Sequence, residues 1–104
     1  MYSIIENNII ISIQQNIRLI LTTPKGSDIH RPDFGSNLWQ FIDQPLTAIT
    51  KGRIKAEIID AIETWEPRVE IIEVDLKKEY SSLTVKITFK IKDTEETQST
   101  WIQM

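Results

Sequence analysis

The sequence contains no cysteine and only one histidine, His30, among 104 residues. Without thiols there can be no disulfide framework, no thiolate metal site and no cysteine nucleophile. A single histidine in a predicted loop is far more often a surface residue than a catalytic base. No apolar run reaches the length of a membrane span, and the N-terminus lacks the features of a signal peptide. These absences favour a cytoplasmic protein that does not insert into a membrane.

Clusters of one charge are also missing. The formal net charge is −3 and no Lys/Arg cluster occurs, which argues against a nucleic-acid binder. The 15 acidic residues are scattered rather than set at calcium-loop spacing. Glu63 and Glu66 could be interpreted as the catalytic carboxyl pair of a glycosidase. Such a pair needs a cleft that keeps one carboxyl protonated, and no cleft is predicted. We therefore expect no cofactor and no small-molecule substrate, and we look for function in surfaces.

The chain is long enough for one core, so a single domain spanning residues 1–104 is predicted. A first helix is expected over residues 8–22, capped by Asn7 or Asn8. Its apolar residues recur at helical spacing on one face, although a strand over 8–13 is an alternative. The members of this stripe are Ile10, Ile13, Ile17, Ile20 and Leu21.

An ordered loop is predicted over residues 23–44, since its glycines and prolines alternate with residues too apolar for a free linker. At its centre, Pro32 fixes the backbone, Phe34 anchors the loop, and Gly35 permits a φ that other residues resist. A turn of helix is expected within residues 36–42. A packed loop explains this pattern better than a ligand cradle does.

A second helix is predicted over residues 45–65, with Pro45 in its first turn and Asp43 as the cap. Gly52 is expected to begin or kink the regular part of this helix, because an interior glycine costs about 1 kcal/mol relative to alanine. The apolar stripe of the helix comprises Ile54, Ile58, Ala61, Ile62 and Trp65.

The segment Glu66-Pro67-Arg68 forms the corner at which helical spacing changes to alternation. Proline cannot continue the helix, and it pushes the residue before it out of helical geometry. The two opposite charges could close on each other or be presented to another chain. The alternative is a simple helix stop with two solvated charges.

Residues 69–103 are predicted to form a β-meander, since apolar and polar residues alternate along them. Ile72, Val74 and Leu76 define the inner face of the first strand, with turns at 80–82 and 93–95. The third strand has the weakest pattern. The expected fold is α+β, with two helices packed on one face of a small antiparallel three-stranded sheet that leaves an open edge.

The chain resembles the W-protein-like family of phage baseplate wedge proteins, which also includes baseplate subunits of type VI secretion systems and of extracellular contractile particles. The resemblance is carried by the first-helix isoleucines, by Gly26, by Arg31-Pro32-Asp33-Phe34-Gly35-Ser36, and by Trp65-Glu66-Pro67-Arg68-Val69 before the meander. It covers nearly the whole chain. One departure is Asp28, which stands where the family often has an arginine.

The resemblance implies a structural protein without enzymatic turnover, located in the baseplate of a contractile injection machine. Its partners would be other baseplate wedge proteins and sheath subunits, with the meander edge offered to the first sheath ring. The resemblance assigns docking to Glu66, Pro67 and Arg68, and the loop residues Arg31, Phe34 and Gly35 are further candidates for partner binding. Arg68 would pair with an acidic group of a neighbour and Glu66 with a basic one. Two alternatives are a peptidoglycan hydrolase of the tail-lysozyme kind and an anti-adaptor-like regulatory binding protein.

Overall fold

The fold is α+β, as predicted. A computed structural model of the chain describes residues 2–80 and 82–104, with side chains described from residue 8 onward. A short 3-10 helix, Leu38–Phe41, confirms the helical turn expected inside the long loop. The main elements in chain order are α1 (Tyr2–Thr22), α2 (Ala48–Trp65), β1 (Val69–Glu79), β2 (Ser82–Ile91) and β3 (Thr97–Gln103). None of the helices in these described residues is long and apolar enough to cross a membrane.

The three strands form one antiparallel sheet in the order β1-β2-β3, which confirms the meander. The β2–β3 turn is closed by two backbone hydrogen bonds, one from Ile91 N–H to Glu96 (2.9 Å) and one from Glu95 N–H to Ile91 (2.7 Å). Tyr80, with φ of 55°, belongs to the predicted β1–β2 turn. Ser81 of that turn lies outside the described residues, and β2 already begins at Ser82.

The core lies between the helices and one face of the sheet. The stripes predicted on both helices are confirmed, with Ile10 and Trp65 partly buried and the other members fully buried. The sheet contributes alternate residues of β2, from Leu83 to Ile91, and Ile102 of β3. Burial of one apolar stripe per helix against one sheet face is what holds the two layers together.

Both predicted helix starts are wrong. α1 begins at Tyr2, so Asn7 and Asn8 lie inside it rather than at its cap. An interior asparagine costs about 0.7 kcal/mol or less relative to alanine, which is too little to stop a helix. α2 begins at Ala48 instead of Pro45, because Thr47 rather than Asp43 provides the cap by accepting a hydrogen bond from Thr50 N–H. The helix also continues through Gly52.

The inner face of β1 differs from the prediction at Ile72. Ile71 pairs with Phe89 and Glu73 pairs with Thr88, so Ile72 is an extra residue in a β-bulge. The bulge shifts the alternation by one position, which turns Ile71 toward the core and leaves Ile72 54% exposed. Val74 and Leu76 face inward as expected.

Candidate functional site

The loop between α1 and α2 folds back on its own beginning. Pro24 and Ser36 form a parallel bridge, and Ser36 N–H donates to the Thr23 carbonyl at 2.9 Å. The buried Ser36 hydroxyl donates to the Leu21 carbonyl (3.0 Å), which satisfies a carbonyl at the C-terminal end of α1. The loop is therefore a fixed attachment to the end of α1.

Gly35 permits this close return. Its φ is +112°, and a Cβ at this position would overlap the carbonyl group of Thr23, lying 3.0 Å from the carbonyl carbon. Only glycine combines that backbone angle with that approach. The predicted role of Gly35 in loop geometry is confirmed, and the residue has no side chain to offer a partner.

Phe34 joins the loop to the end of α2. Its buried ring stands edge-on to the indole of Trp65, with centroids 5.2 Å apart and planes inclined by 79°. The guanidinium carbon of Arg31 lies 3.9 Å from the centroid of the same Phe34 ring, in cation–π contact. The packing thus connects Arg31 of the loop with the residue that precedes the Glu66-Pro67-Arg68 corner.

Arg31 is held from a second side by Asp28. The Asp28 carboxylate accepts hydrogen bonds from His30 N–H (2.9 Å), Arg31 N–H (3.3 Å) and Arg31 Nε (3.1 Å). The His30 amide bond is the main reason that the pKa of Asp28 lies below its usual value, and the Arg31 bonds act in the same direction. Asp28, the departure noted in the sequence, therefore orients Arg31.

The charges of the corner close on each other. Glu66 is 1% exposed, and its carboxylate accepts hydrogen bonds from Arg68 Nε (2.8 Å) and from Arg68 Nη2. These bonds raise the pKa of Arg68 above its usual value. Since the Glu66 side chain faces inward, the expectation that it pairs with a basic group of a neighbour does not fit the structure. Glu66 instead orients Arg68, whose side chain remains 44% exposed.

Asn16 of α1 ties the corner to the first helix. Its Nδ2 donates to the Trp65 carbonyl and to Glu66 Oε1, both at 3.3 Å. Asn16 was not among the residues predicted from the sequence. The available signal was a polar side chain beside the apolar stripe of α1, directly before Ile17.

The predicted site residues are thus linked through the packing of Phe34 on Trp65, and together we call them the composite surface, in which each plays a different part. Phe34 and Glu66 are buried supports, and Gly35 shapes the loop. Arg31, Pro67 and Arg68 are exposed. The surface presents two guanidinium groups, each oriented by a carboxylate of the same chain.

The edge of β3 is a second candidate surface. Leu83 and Met104 exchange both backbone hydrogen bonds, at 3.0 and 2.8 Å. Bonded and non-bonded pairs alternate along an antiparallel ladder, so every second residue of β3 directs its N–H and C=O away from β2. These residues are Thr97, Ser99, Trp101 and Gln103.

Comparison with known proteins decides the family. The family model described as baseplate wedge protein gp25 matches residues 8–96, which include most of α1, the loop, α2, the corner and the strands β1 and β2. The chain belongs to the gp25 baseplate wedge family. The predicted resemblance is therefore confirmed, and the chain is a structural component of the baseplate wedge of a contractile tail machine.

Two phage proteins of this family are similar in sequence. Baseplate protein W of Escherichia phage P2 is 40% identical over 83 residues, covering 79% of this chain and 72% of the relative. Baseplate wedge protein gp25 of Enterobacteria phage T4 is 31% identical over 84 residues, covering 79% of this chain and 64% of the relative. The match to the T4 protein thus leaves about a third of that relative's length uncovered.

Solved structures share the fold. A Geobacter sulfurreducens protein, provisionally named a tail lysozyme, matches with a TM-score of 0.80 at 27% identity, covering 89% of this chain and 86% of that one. A chain of the contracted pyocin R2 baseplate matches with a TM-score of 0.61 at 26% identity, covering 89% of this chain and 81% of that one. A chain of the anti-feeding prophage baseplate matches with a TM-score of 0.62 at 18% identity, covering 88% of this chain and 65% of that one. At this identity the match shows the fold alone.

Of the two carboxylates considered as a glycosidase pair, Glu66 is buried and Glu63 is exposed. Within the described residues, the side chain of Glu66 accepts hydrogen bonds from Asn16 Nδ2 and from Arg68 Nε and Nη2. Glu63 lines an open groove of about 560 Å³ beside Pro67 and Glu70. The buried member of the pair is therefore used to hold Arg68.

Proposed function

We propose that this wedge-family chain docks onto neighbouring baseplate wedge proteins through the composite surface of Arg31, Pro67 and Arg68. The observation that supports this most directly is the Phe34–Trp65 contact, which places two oriented guanidinium groups on one packed unit. Groups that are fixed before binding lose less side-chain entropy when a partner arrives. The surface is thus suited to directional recognition.

The partner group that fits is a carboxylate. Arg68 uses Nε and Nη2 on Glu66, and its Nη1 makes no hydrogen bond within the described residues. Arg31 Nε donates to Asp28, and the two terminal nitrogens of Arg31 likewise make no hydrogen bond within the described residues. Because Glu66 and Asp28 already balance both charges, recognition depends on the direction of the remaining N–H donors more than on net charge. We expect an acidic residue of the neighbour to bind each arginine.

We further propose that the β3 edge receives a strand from the first ring of sheath subunits. The support is the row of outward N–H and C=O groups on Thr97, Ser99, Trp101 and Gln103. A row of this kind is the template for strand addition. β1, the other edge, carries a bulge and many charges, which disfavour an added strand.

The docking proposal is tested with variants that keep the buried carboxylate of Glu66 paired. Arg68→Ala is not used here, because it would leave the buried Glu66 carboxylate without its arginine partner. Arg68→Lys keeps a positive partner for Glu66 but removes the planar fork, and Arg31→Ala removes an exposed group. Lys55→Ala, a change at an exposed cation on the outer face of α2, is the matched control.

Tagged wild type and variants are used for pulldown from the native lysate, with a thermal melt of each purified protein. We expect wild type and Lys55→Ala to recover wedge proteins equally. Arg31→Ala and Arg68→Lys should bind wedge proteins at least about thirtyfold more weakly and so recover less of them, since a truncated interface charge pair costs about 2–5 kcal/mol. Equal recovery by all four proteins would refute docking through this surface. Recovery of one soluble regulatory protein without baseplate proteins would instead support the regulator alternative.

A hydrolase function is a second candidate, supported by the Geobacter sulfurreducens structure provisionally named a tail lysozyme. The test is a peptidoglycan zymogram of wild type beside Glu63→Gln. We expect no clearing from either protein, because Glu66 is committed to Arg68. Clearing by wild type that is lost in Glu63→Gln would establish catalysis and overturn the purely structural function.

A further inference from the structure

The open edge of β3 lacks the features that usually keep sheet edges from pairing. Its seven residues include no charge and no proline, and its register with β2 is unbroken. β1, by contrast, combines a bulge with six charged residues along its length. Natural proteins generally protect exposed edges with charges, prolines or bulges. The β3 edge is therefore open to strand addition in a way that the β1 edge is not.

The outward groups of β3 are complementary to themselves. If two copies meet antiparallel about a two-fold axis at Thr100, then Thr97 faces Gln103 of the other copy and Ser99 faces Trp101. All four outward residues then form hydrogen-bonded pairs, and four pairs with two bonds each give eight bonds across the axis. Moving the axis by one or two residues leaves at least one outward residue without a partner. The register is thus set by the strand itself.

We propose that, in the absence of other baseplate proteins, a second copy of this chain binds the β3 edge in this register. The product is a symmetric dimer with a continuous six-stranded sheet. The interface is isologous, as in most homodimers. The second copy competes with the sheath strand for the same backbone groups. It therefore occupies the β3 edge until another strand displaces it.

The side chains near this edge suit the pairing. Trp101 is 60% exposed on the outer face, with the Lys86 ammonium 5.1 Å from its ring centroid. In the dimer, the two indoles lie diagonally across the axis, within reach of each other. The two α1 helices lie on the same side of the joined sheet, and Ile9 and Ile11 of each α1 are partly exposed.

Gln14 opposes the pairing. Its Nε2 donates to the Ser99 carbonyl at 3.4 Å, and that carbonyl is one of the groups a second copy would use. The bond is long and exposed, so a backbone N–H of the other copy can replace it. Removing the Gln14 amide should therefore strengthen the dimer.

The experiment measures the mass of the purified chain by sedimentation velocity from micromolar to millimolar concentration. We expect a shift from one to two chains as the concentration rises. Hydrogen exchange should show gained protection at the amides of Thr97, Ser99, Trp101 and Gln103, without a matching gain along β1. A monomer at every concentration, or protection gained elsewhere instead, would overturn the proposal and leave the docking and sheath proposals standing.

Variants at Ser99 separate edge pairing from other kinds of association. Ser99→Pro removes an outward N–H while keeping the β2–β3 bonds, as edge strands tolerate. Two donors are lost across the axis, so the dimer should weaken about thirtyfold. Ser99→Ala keeps the N–H and should dimerise like wild type. A dimer of unchanged affinity in Ser99→Pro would refute the register.

Two further variants test the mechanism without relying on proline. Ser99→Lys places like charges near the axis, so its dimer should weaken at low salt and recover as salt screens the repulsion. Gln14→Ala should tighten the dimer by about two- to fivefold, because a competing hydrogen bond is lost. Insensitivity of Ser99→Lys to salt, or an unchanged or weaker Gln14→Ala dimer, would contradict pairing at this edge.

Discussion

The ring of Phe34 stands edge-on to the indole of Trp65, with the two centroids 5.2 Å apart. Phe34 belongs to the loop that follows α1, and Trp65 is the last residue of α2. This one contact packs the two sequence motifs against each other, and Arg31 lies on the same Phe34 ring. Stability of the loop and orientation of the candidate docking groups therefore depend on each other.

We predict that Phe34→Ala lowers the free energy of unfolding by about 3–4 kcal/mol, since a buried phenylalanine side chain is lost and a cavity is left. Urea denaturation followed by far-UV circular dichroism measures the change. Phe34→Leu keeps most of the volume and should cost about half as much. A loss below about 1 kcal/mol in Phe34→Ala would show that the loop is not anchored through this ring.

The buried Glu66 carboxylate predicts an unusual response to loss of its partner. Arg68→Ala leaves Glu66 with Asn16 as its remaining side-chain donor, so we expect a loss of about 1–3 kcal/mol in stability. The double variant Glu66→Gln/Arg68→Ala removes the stranded charge and should be more stable than Arg68→Ala alone. Urea unfolding of both proteins beside wild type measures this difference. If the double variant were the less stable of the two, the Glu66 charge would not be the cause.

Asn16 should be energetically coupled to the same carboxylate. Asn16→Ala removes donors to the Trp65 carbonyl and to Glu66, at a cost of about 1–2 kcal/mol. A double-mutant cycle with Arg68→Ala should give a coupling energy of about 0.5 kcal/mol or more, because both side chains bind one group. Strict additivity in urea unfolding would contradict the shared contact.

The three glycines should respond differently to alanine. Gly35→Ala combines a positive φ with overlap of the Thr23 carbonyl, so we expect a loss above about 3 kcal/mol. Gly26→Ala has a similar φ of +89° but open space around it, so about 1–2 kcal/mol is expected. Gly52→Ala lies in α2 with no contact for its Cβ and should stabilise by about 0.5–1 kcal/mol.

Urea midpoints of the three variants measured side by side test that order. The matched pair is Gly35→Ala and Gly26→Ala, which differ mainly in the space available to a methyl group. Equal losses for both would show that the backbone angle, and not the approach to Thr23, decides the need for glycine at position 35.

Periodicity predicted the elements that are governed by one buried face. The stripes of both helices and the alternation of β2 require only that apolar residues face one side, and this pattern is local. The same rule failed at Ile72, because the bulge that turns Ile71 inward depends on pairing with Phe89. The predicted start of α2 failed for a similar reason. Thr47 and Asp43 are both acceptable caps in isolation, and only tertiary packing selects one.

The candidate site shows where sequence reasoning ends. The loop motif and the corner were found separately, but the Phe34–Trp65 contact spans a sequence separation that no periodic pattern reports. Pairing of Glu66 with Arg68 was one of the two arrangements left open from the sequence, but glutamate is rarely buried without partners, and its second partner, Asn16, was not found. Asn16 lies 50 residues from Glu66, so its role emerges only from the fold.

The pH response of Asp28 should report the loop turn that holds Arg31. Hydrogen bonds from His30 and Arg31 lower the pKa of Asp28 from its ordinary value of 3.8, so the folded state binds this proton less readily than the unfolded state does. The stabilising contribution of the group is therefore fully present above pH 3.8, and it is lost as the pH falls through the lowered pKa of the folded state.

A carboxyl-detected NMR titration of Asp28 should give a midpoint below 3.8, and high salt should move that midpoint upward because the site is exposed. Asp28→Asn keeps an acceptor for the His30 amide but has no charge, so its stability should lack this component of acid sensitivity. A midpoint at or above 3.8 in the wild type would mean that the turn does not hold Arg31 in solution, and the docking surface would then present a single fixed guanidinium.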